Sequence, residues 1–281
     1  MSSDPTAAEI TRKAKSNLAF ALRCVPADRR RHLVSFYAFC RVIDDLADDL
    51  ELPLEEKKKG LAGWKEIFSN NTTNVDLGLV DLQSDILKVR DLYEISSDYL
   101  TNVIEGCQMD LQPQRFETWQ DLQEYTYRVA SSVGLVCLPL FAAEASRSHE
   151  YAVALGHALQ LTNILRDIGE DLSNGDRIYV PLHDLRRFEY TENDLIGRVH
   201  DERFIAFMND QADRCEELYA KAMKLLPAED HKALLAPRVM HRIYHTLLQQ
   251  MRADNFRVFD RRYRLSKLQK ISLLMQERLF G

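Results

Sequence analysis

Apolar positions recur at helical spacing through residues 6–24, 28–50, 54–69, 80–110, 117–146, 149–172, 201–225, 229–253 and 266–280. The stretch 80–110 is long enough for two helices. Residues that stop helices stand between these runs: Pro26, Pro53, Pro113, Ser173-Asn174-Gly175, Pro181, Pro227 and Asp254-Asn255. Thr191 with Asp194 has the spacing of a capping box, with Asp in place of the usual Glu or Gln, and predicts a short helix start. Asn70–Asn74 reads as an exposed loop. There is no repeat of fixed period, no low-complexity tract and no Gly/Ser/Pro-rich linker. The pattern predicts one all-α domain over residues 1–281.

Composition agrees. Of 281 residues, 46% are hydrophobic, enough for a sizeable core, and Gly (10) and Pro (8) are scarce, as a helical chain requires. The net charge of −6 argues against non-specific nucleic-acid binding. The charge is uneven, however. From Arg238 to Arg278 there are ten Lys/Arg against three acids, Asp254, Asp260 and Glu277. That stretch is either a solvated helical face or a basic wall toward anionic substrate or anionic lipid. Five cysteines, with no CxxC pair, fit free thiols in a reducing compartment. The first twenty residues carry Arg12, Lys13 and Lys15 but no apolar signal core, so a cytoplasmic protein is expected. The longest nearly apolar run, Val133–Ala143, is too short to span a bilayer. Contact with a membrane surface stays open, and oligomeric state is not legible.

Two acidic clusters change the picture. The first is Asp44, Asp45, Asp48 and Asp49; the second is Asp167, Glu170 and Asp171. Both interrupt otherwise apolar helical sequence. Gln160, Asn163, Asp167 and Asp171 project, at about 100° per residue, into one stripe roughly 80° wide. Leu159, Leu161, Ile164, Leu165 and Ile168 cover the rest of that helix. A helix apolar nearly all round is buried, so its polar stripe must face other polar groups, water or ions. Tyr37, Arg41, Asp44 and Asp48 form a similar stripe, with Asp45 and Asp49 turned aside. Arg41 pairs with Asp45 at the surface or, better placed on the aspartate stripe, clamps phosphate with its planar fork. Buried carboxylates are costly unless a cation compensates them. Carboxylates and amides without a His or Cys cluster imply hard oxygen ligation, and Mg²⁺ completes such a shell with water and substrate phosphate. The eight histidines show no zinc-like spacing.

Between the clusters, Tyr125-Thr-Tyr-Arg-Val-Ala-Ser-Ser-Val-Gly134 breaks the apolar pattern with small residues. These allow close approach, either by another helix or by a bulky ligand. After the second cluster, Asn174–Pro181 is a loop with Arg177 and Tyr179, placed to close over a diphosphate.

With these motifs in order, the chain resembles the squalene/phytoene synthase family of head-to-head prenyl transferases. The matching stretches are Tyr37–Asp48, Tyr125–Gly134 and Leu159–Asp171, followed by Asp176-Arg-Ile-Tyr-Val-Pro181. Within it, the chain looks most similar to the bacterial branch that makes presqualene diphosphate or squalene. The resemblance implies an isoprenoid synthase-type helical bundle around a central cavity. Asp44 and Asp48 match the first aspartate motif, Asp167 and Asp171 the second, and with Asn163 they would hold Mg²⁺ bridged to substrate diphosphates. Arg41, Gln160, Asn163, Arg166, Arg177 and Tyr179 match diphosphate-binding positions. Tyr127 matches a cavity tyrosine near the reacting carbons. Two departures stand out. The usual Ser-x-Ser-Phe reads Ser16-Asn-Leu18, leaving Ser16 as the candidate there, and Phe256 follows Asn255 where many members place Tyr.

The implied reaction joins two farnesyl diphosphates into presqualene diphosphate, and onward to squalene only with a reductant such as NADPH. The nearest rival joins two geranylgeranyl diphosphates into phytoene. A chain elongase or terpene cyclase would use DDxxD, which Asp44–Asp48 fits by letter, but the Gln160–Asp171 stripe argues against it. A non-catalytic helical assembly factor is the reading from another class. It would be free to lose its aspartates, whereas all four motif positions are acidic.

Overall fold

A computed structural model describes residues 5–13, 24–112, 114–175 and 177–280. Among the described residues the regular structure is helical throughout: α1 Ala7–Lys13, α2 Ala27–Asp48, α3 Leu54–Asn70, α4 Val80–Leu92, α5 Ser97–Met109, α6 Trp119–Thr126, α7 Ser132–Leu140, α8 Ala145–Ser173, α9 Leu182–Arg187, α10 Glu192–Ile196, α11 Glu202–Leu225, α12 Leu235–Ala253 and α13 Lys267–Phe280. Pro26, Pro53 and Pro181 each stand directly before a helix, where a missing N–H costs nothing. Thr191 and Asp194 close the expected capping box, and Thr118 with Asp121 forms another.

Three expectations need correction. Residues 117–146 are not one helix. A five-residue π-helical turn, Tyr127–Ser131, separates α6 from α7, and the chain turns at Phe141–Ala143 just past Pro139. The turn lies where α8 presses in: a Cβ on Gly156 would stand 2.5 Å from the Ser131 Cα. The small residues of this motif therefore do serve tight helix packing. Second, α12 begins at Leu235 rather than at 229. The Asp230 carboxylate holds the preceding turn to the start of α8, accepting from the Ser148 hydroxyl at 2.7 Å and from Arg147 at 2.7 Å. Third, 182–187 forms a short helix that the periodicity did not indicate. Of the expected helix 6–24, Ala7–Lys13 is seen; residues 14–23 lie outside the described residues.

α8 is the axis of the molecule. It packs against α11, α7, α12 and the π-helical turn, and it is buried along most of its length. α2 packs on α3, α4 and α5, and α7 touches both α2 and α8. The two helices that carry the acidic stripes thus belong to two layers bridged by α5 and α7. Phe36, Phe39, Trp64 and Phe68 interlock behind α2, with Phe39 edge-on to Trp64 and Phe68. Their packing fixes the side of α2 that faces away from the acidic stripe.

Candidate active site

Asp44 and Asp48 occupy the last two turns of α2. Arg41 donates to Asp44 at 2.8 Å and also pairs with Asp45, which is more than half exposed. Burial and the neighbouring Asp48 push the Asp44 carboxyl up to about 6, against the pull of Arg41. About half of its side chain still meets open space. This group is therefore poised between an apolar wall and a polar opening.

Asp167 and Asp171 lie on the last turns of α8. Arg166 grips Asp167 with two hydrogen bonds, at 2.9 and 2.5 Å. Arg262, from the segment after α12, reaches the same carboxylate at 3.2 Å and Glu170 at 2.6 Å. Burial and then Asp167 push the Asp171 carboxyl up to about 8. One and two turns earlier on this helix come Asn163 and Gln160. Asn163 donates to Gln160 at 3.4 Å, while its own Oδ1 is buried without a partner.

Arg177 joins the two clusters. Its backbone N–H donates to the Asp171 carbonyl at 3.1 Å, and its guanidinium reaches Asp48 at 2.9 Å. It also donates to the carbonyl of Asp110 at 3.4 Å. The Asp110 carboxylate accepts from the Tyr179 hydroxyl at 2.8 Å and from the Tyr125 hydroxyl at 2.9 Å. The two tyrosine rings stack with centroids 5.1 Å apart. Burial raises the Asp110 carboxyl to about 6 despite both hydroxyls. Asp48, Asp110 and Asp171 thus share one electrostatic neighbourhood.

The structure brings together Arg41, Asp44, Asp48, Gln160, Asn163, Arg166, Asp167, Asp171, Arg177 and Tyr179. Ser16 lies outside the described residues. Tyr127 lines a polar outer groove with Asn102, Gln123 and His157, and burial beside Tyr99 raises its hydroxyl. A π-helical turn carries an extra residue per turn and re-aims its side chains. Two residues earlier, Tyr125 is the tyrosine turned toward the acids. Asp110, Tyr125 and Arg262 escaped the sequence reading. Tyr125 left a trace there as the first residue of the Tyr125–Gly134 motif, and Arg262 as part of the basic 238–278 stretch. Phe256 is fully buried in the core.

Next to Gln160 and Asn163 opens an apolar cavity of about 190 Å³. α7, α8 and α12 form its walls, and Gln160 and Asn163 lie at its polar end. A largely apolar cleft with a few convergent polar groups is the usual form of a ligand site.

The donor set fits a hard divalent cation. It consists of carboxylates and one orphaned amide oxygen, and two of the carboxyls are held at raised pKa by burial and like charge. Among the described residues no three His, Cys, Asp or Glu side chains cluster closely enough to hold a metal alone. A cation here would draw further oxygens from water and from a phosphorylated ligand, as Mg²⁺ does.

Comparison with known proteins agrees with this geometry. The family described as squalene/phytoene synthase matches residues 11–269. The chain is 31% identical to the 15-cis-phytoene synthase of Synechococcus elongatus, over 90% of this chain and 85% of that protein. It is also 31% identical to the presqualene diphosphate synthase of Zymomonas mobilis, over 98% and 93%. A crystal structure of a dehydrosqualene synthase in complex with ligand superposes with a TM-score of 0.81, at 28% identity, over 97% of this chain and 94% of that one.

Proposed function

The chain belongs to the squalene/phytoene synthase family, and from that premise we propose that it condenses two farnesyl diphosphates head to head into presqualene diphosphate. The observation that carries the reading is Arg177, which ties both acidic motifs together; the second motif begins about one helical turn along α8 from the Asn163 that lines one end of an apolar cavity. The shorter substrate is favoured by the cavity's far end, where two bulky rings, Phe141 and Tyr151, stand among its lining. Relatives named for both phytoene and presqualene diphosphate leave chain length to the cavity.

Asp44, Asp48, Asn163, Asp167 and Asp171 would hold Mg²⁺ against the diphosphates. The bound metal would supply the positive charge that draws electrons onto a departing diphosphate. Arg41, Arg166, Arg177 and Arg262 surround the carboxylates and offer planar forks for the same oxygens. The C1–O bond of one substrate breaks, and the apolar walls keep water from the allylic cation. Its C1 bonds to the double bond of the second substrate. A proton then leaves that same C1, now joined to C2 of the second chain, and the freed electron pair closes the cyclopropane onto C3. Tyr127 stands in the outer groove, so the released diphosphate is the base within reach. Onward conversion to squalene would need hydride from a reductant such as NADPH.

We also propose that α13, whose exposed side is apolar and rimmed by basic residues, rests on the membrane that holds the prenyl chains.

The test is incubation of the purified protein with Mg²⁺ and either farnesyl or geranylgeranyl diphosphate, with chromatography of the lipid products. A C30 product is expected from the first, with turnover reduced by about a hundredfold or more in Asp44→Ala and Asp167→Ala while circular dichroism stays helical. Full activity in both variants would end the metal-clamp reading. A helical assembly factor would show no Mg²⁺-dependent binding of a prenyl thiodiphosphate.

A further inference from the structure

The cavity has a direction, and all three walls give the same one. On α8 it starts at Asn163 and Gln160, beside the acids, and runs back through Gly156 and Ala152 to Tyr151. Tyr151 precedes Asp167 by sixteen residues, which is about 24 Å along a helix axis. α7 runs antiparallel to α8: a Cβ on Gly156 would meet Ser131, and one on Gly134 would meet the Ala152 carbonyl. Its lining therefore descends from Val129 through Val133 and Cys137 to Phe141. On α12 Tyr244 stands close to Arg166 at the acidic end, and the lining falls away through Met240 to Ala236. Phe141 and Tyr151 thus both lie toward the end farthest from the diphosphate site.

That end has a solid backing. Tyr151 is 1% exposed, and its hydroxyl is buried without a hydrogen-bond partner. Behind it lies the buried ion pair of Arg238 with Glu277, close enough for both charges to act on the phenol. Arg242 reinforces the pair at 3.2 Å from Glu277. A buried ion pair resists separation strongly, so a longer tail cannot push the Tyr151 ring backward cheaply.

We infer that Tyr151 and Phe141 form the floor that limits the prenyl tail to fifteen carbons. The inference rests on the prenyl-diphosphate reading above and adds its length-setting residues. A phenol ring occupies more room than one five-carbon isoprenoid unit. Removing either ring opens the space that a twenty-carbon tail needs. The hydroxyl adds nothing to this role, because it bonds nothing.

Binding tests the floor without turnover. Affinities for farnesyl and geranylgeranyl thiodiphosphate are measured by calorimetry with Mg²⁺ for wild type, Tyr151→Phe, Tyr151→Leu, Tyr151→Ala and Phe141→Ala. Wild type and Tyr151→Phe should prefer the shorter analogue. The smaller variants should move the preference toward the longer one by about tenfold or more, as expected when a pocket gains or loses methylene-sized space. Tyr151→Leu guards against unfolding of the alanine variant. An unchanged preference in folded Tyr151→Leu and Phe141→Ala overturns the floor, as does a wild type without preference. A wild type that binds with the expected preference but turns over neither diphosphate supports the floor and overturns the condensation. A wild type that binds neither analogue overturns both.

Discussion

Asp110 makes three contacts that hold the bridging loop: one to each hydroxyl of Tyr125 and Tyr179, and one through its carbonyl to Arg177. Asparagine has nearly the same shape but presents one acceptor where the carboxylate presents two. Asp110→Asn therefore leaves one tyrosine hydroxyl facing an N–H. Loss of a charged hydrogen bond at a buried site costs about 1.5–3 kcal/mol. We expect kcat/KM to fall by about tenfold or more, with the helical circular dichroism retained. Wild-type kinetics in this variant would show that the tyrosine pair does not position Arg177. Asp110 also marks where sequence reading stops. The aspartates of α2 and α8 were legible because helical periodicity puts residues of one stripe on one face. Asp110 has no such partner: it follows the end of α5, 67 residues before Arg177. Tyr127 was named from its match to the family motif rather than from helical spacing, and the π-helical turn it opens was not legible in the periodicity.

At the scale of elements, the backbone after α12 clamps onto the acidic end of α8. A Cβ on Gly169 would stand 2.5 Å from the Val258 carbonyl and 3.1 Å from the Phe259 Cα. Backbone cannot step aside as a flexible side chain can. Gly169→Ala should therefore lift this segment, and with it Arg262, which pairs with Asp167 and Glu170. Such overpacking costs about 1–3 kcal/mol, so a lower melting temperature and a higher KM for prenyl diphosphate are expected together. Arg262→Ala separates the two effects: KM should rise while the melting temperature changes little. A Gly169→Ala protein with wild-type stability and KM would refute the clamp. The major helices were legible here, since Pro26, Pro53 and Pro181 each mark a start. The clamp was not. It depends on which backbone meets Gly169, and that partner lies 89 residues away along the chain.

At the scale of the whole molecule, charge and apolar surface separate by face. The chain carries a net charge of −6, yet α13 holds a single acid, Glu277, and turns it inward onto Arg238. Its outer side shows Leu268 and Leu279, 79% and 66% exposed, with Ile271 and Met275 between them. Their spacing makes another stripe roughly 80° wide. Arg264, Lys267 and Arg278 border it, all exposed and without an ion-pair partner among the described residues. An apolar stripe with a basic border suits the interface of an anionic bilayer, and each basic residue adds about 1 kcal/mol there. No helix among the described residues is long and apolar enough to cross a membrane. The protein should float with phosphatidylglycerol vesicles at low salt, much less with phosphatidylcholine, and detach as salt rises. Replacing Leu268 and Leu279 with Ser should weaken the anionic binding while leaving turnover of detergent-dispersed substrate intact, because neither side chain lines the cavity. Equal flotation on both lipids, or no effect of the double change, would assign the stripe no part in membrane contact. Failure of this test would leave the acidic site and the cavity untouched, since neither Leu268 nor Leu279 lines the cavity.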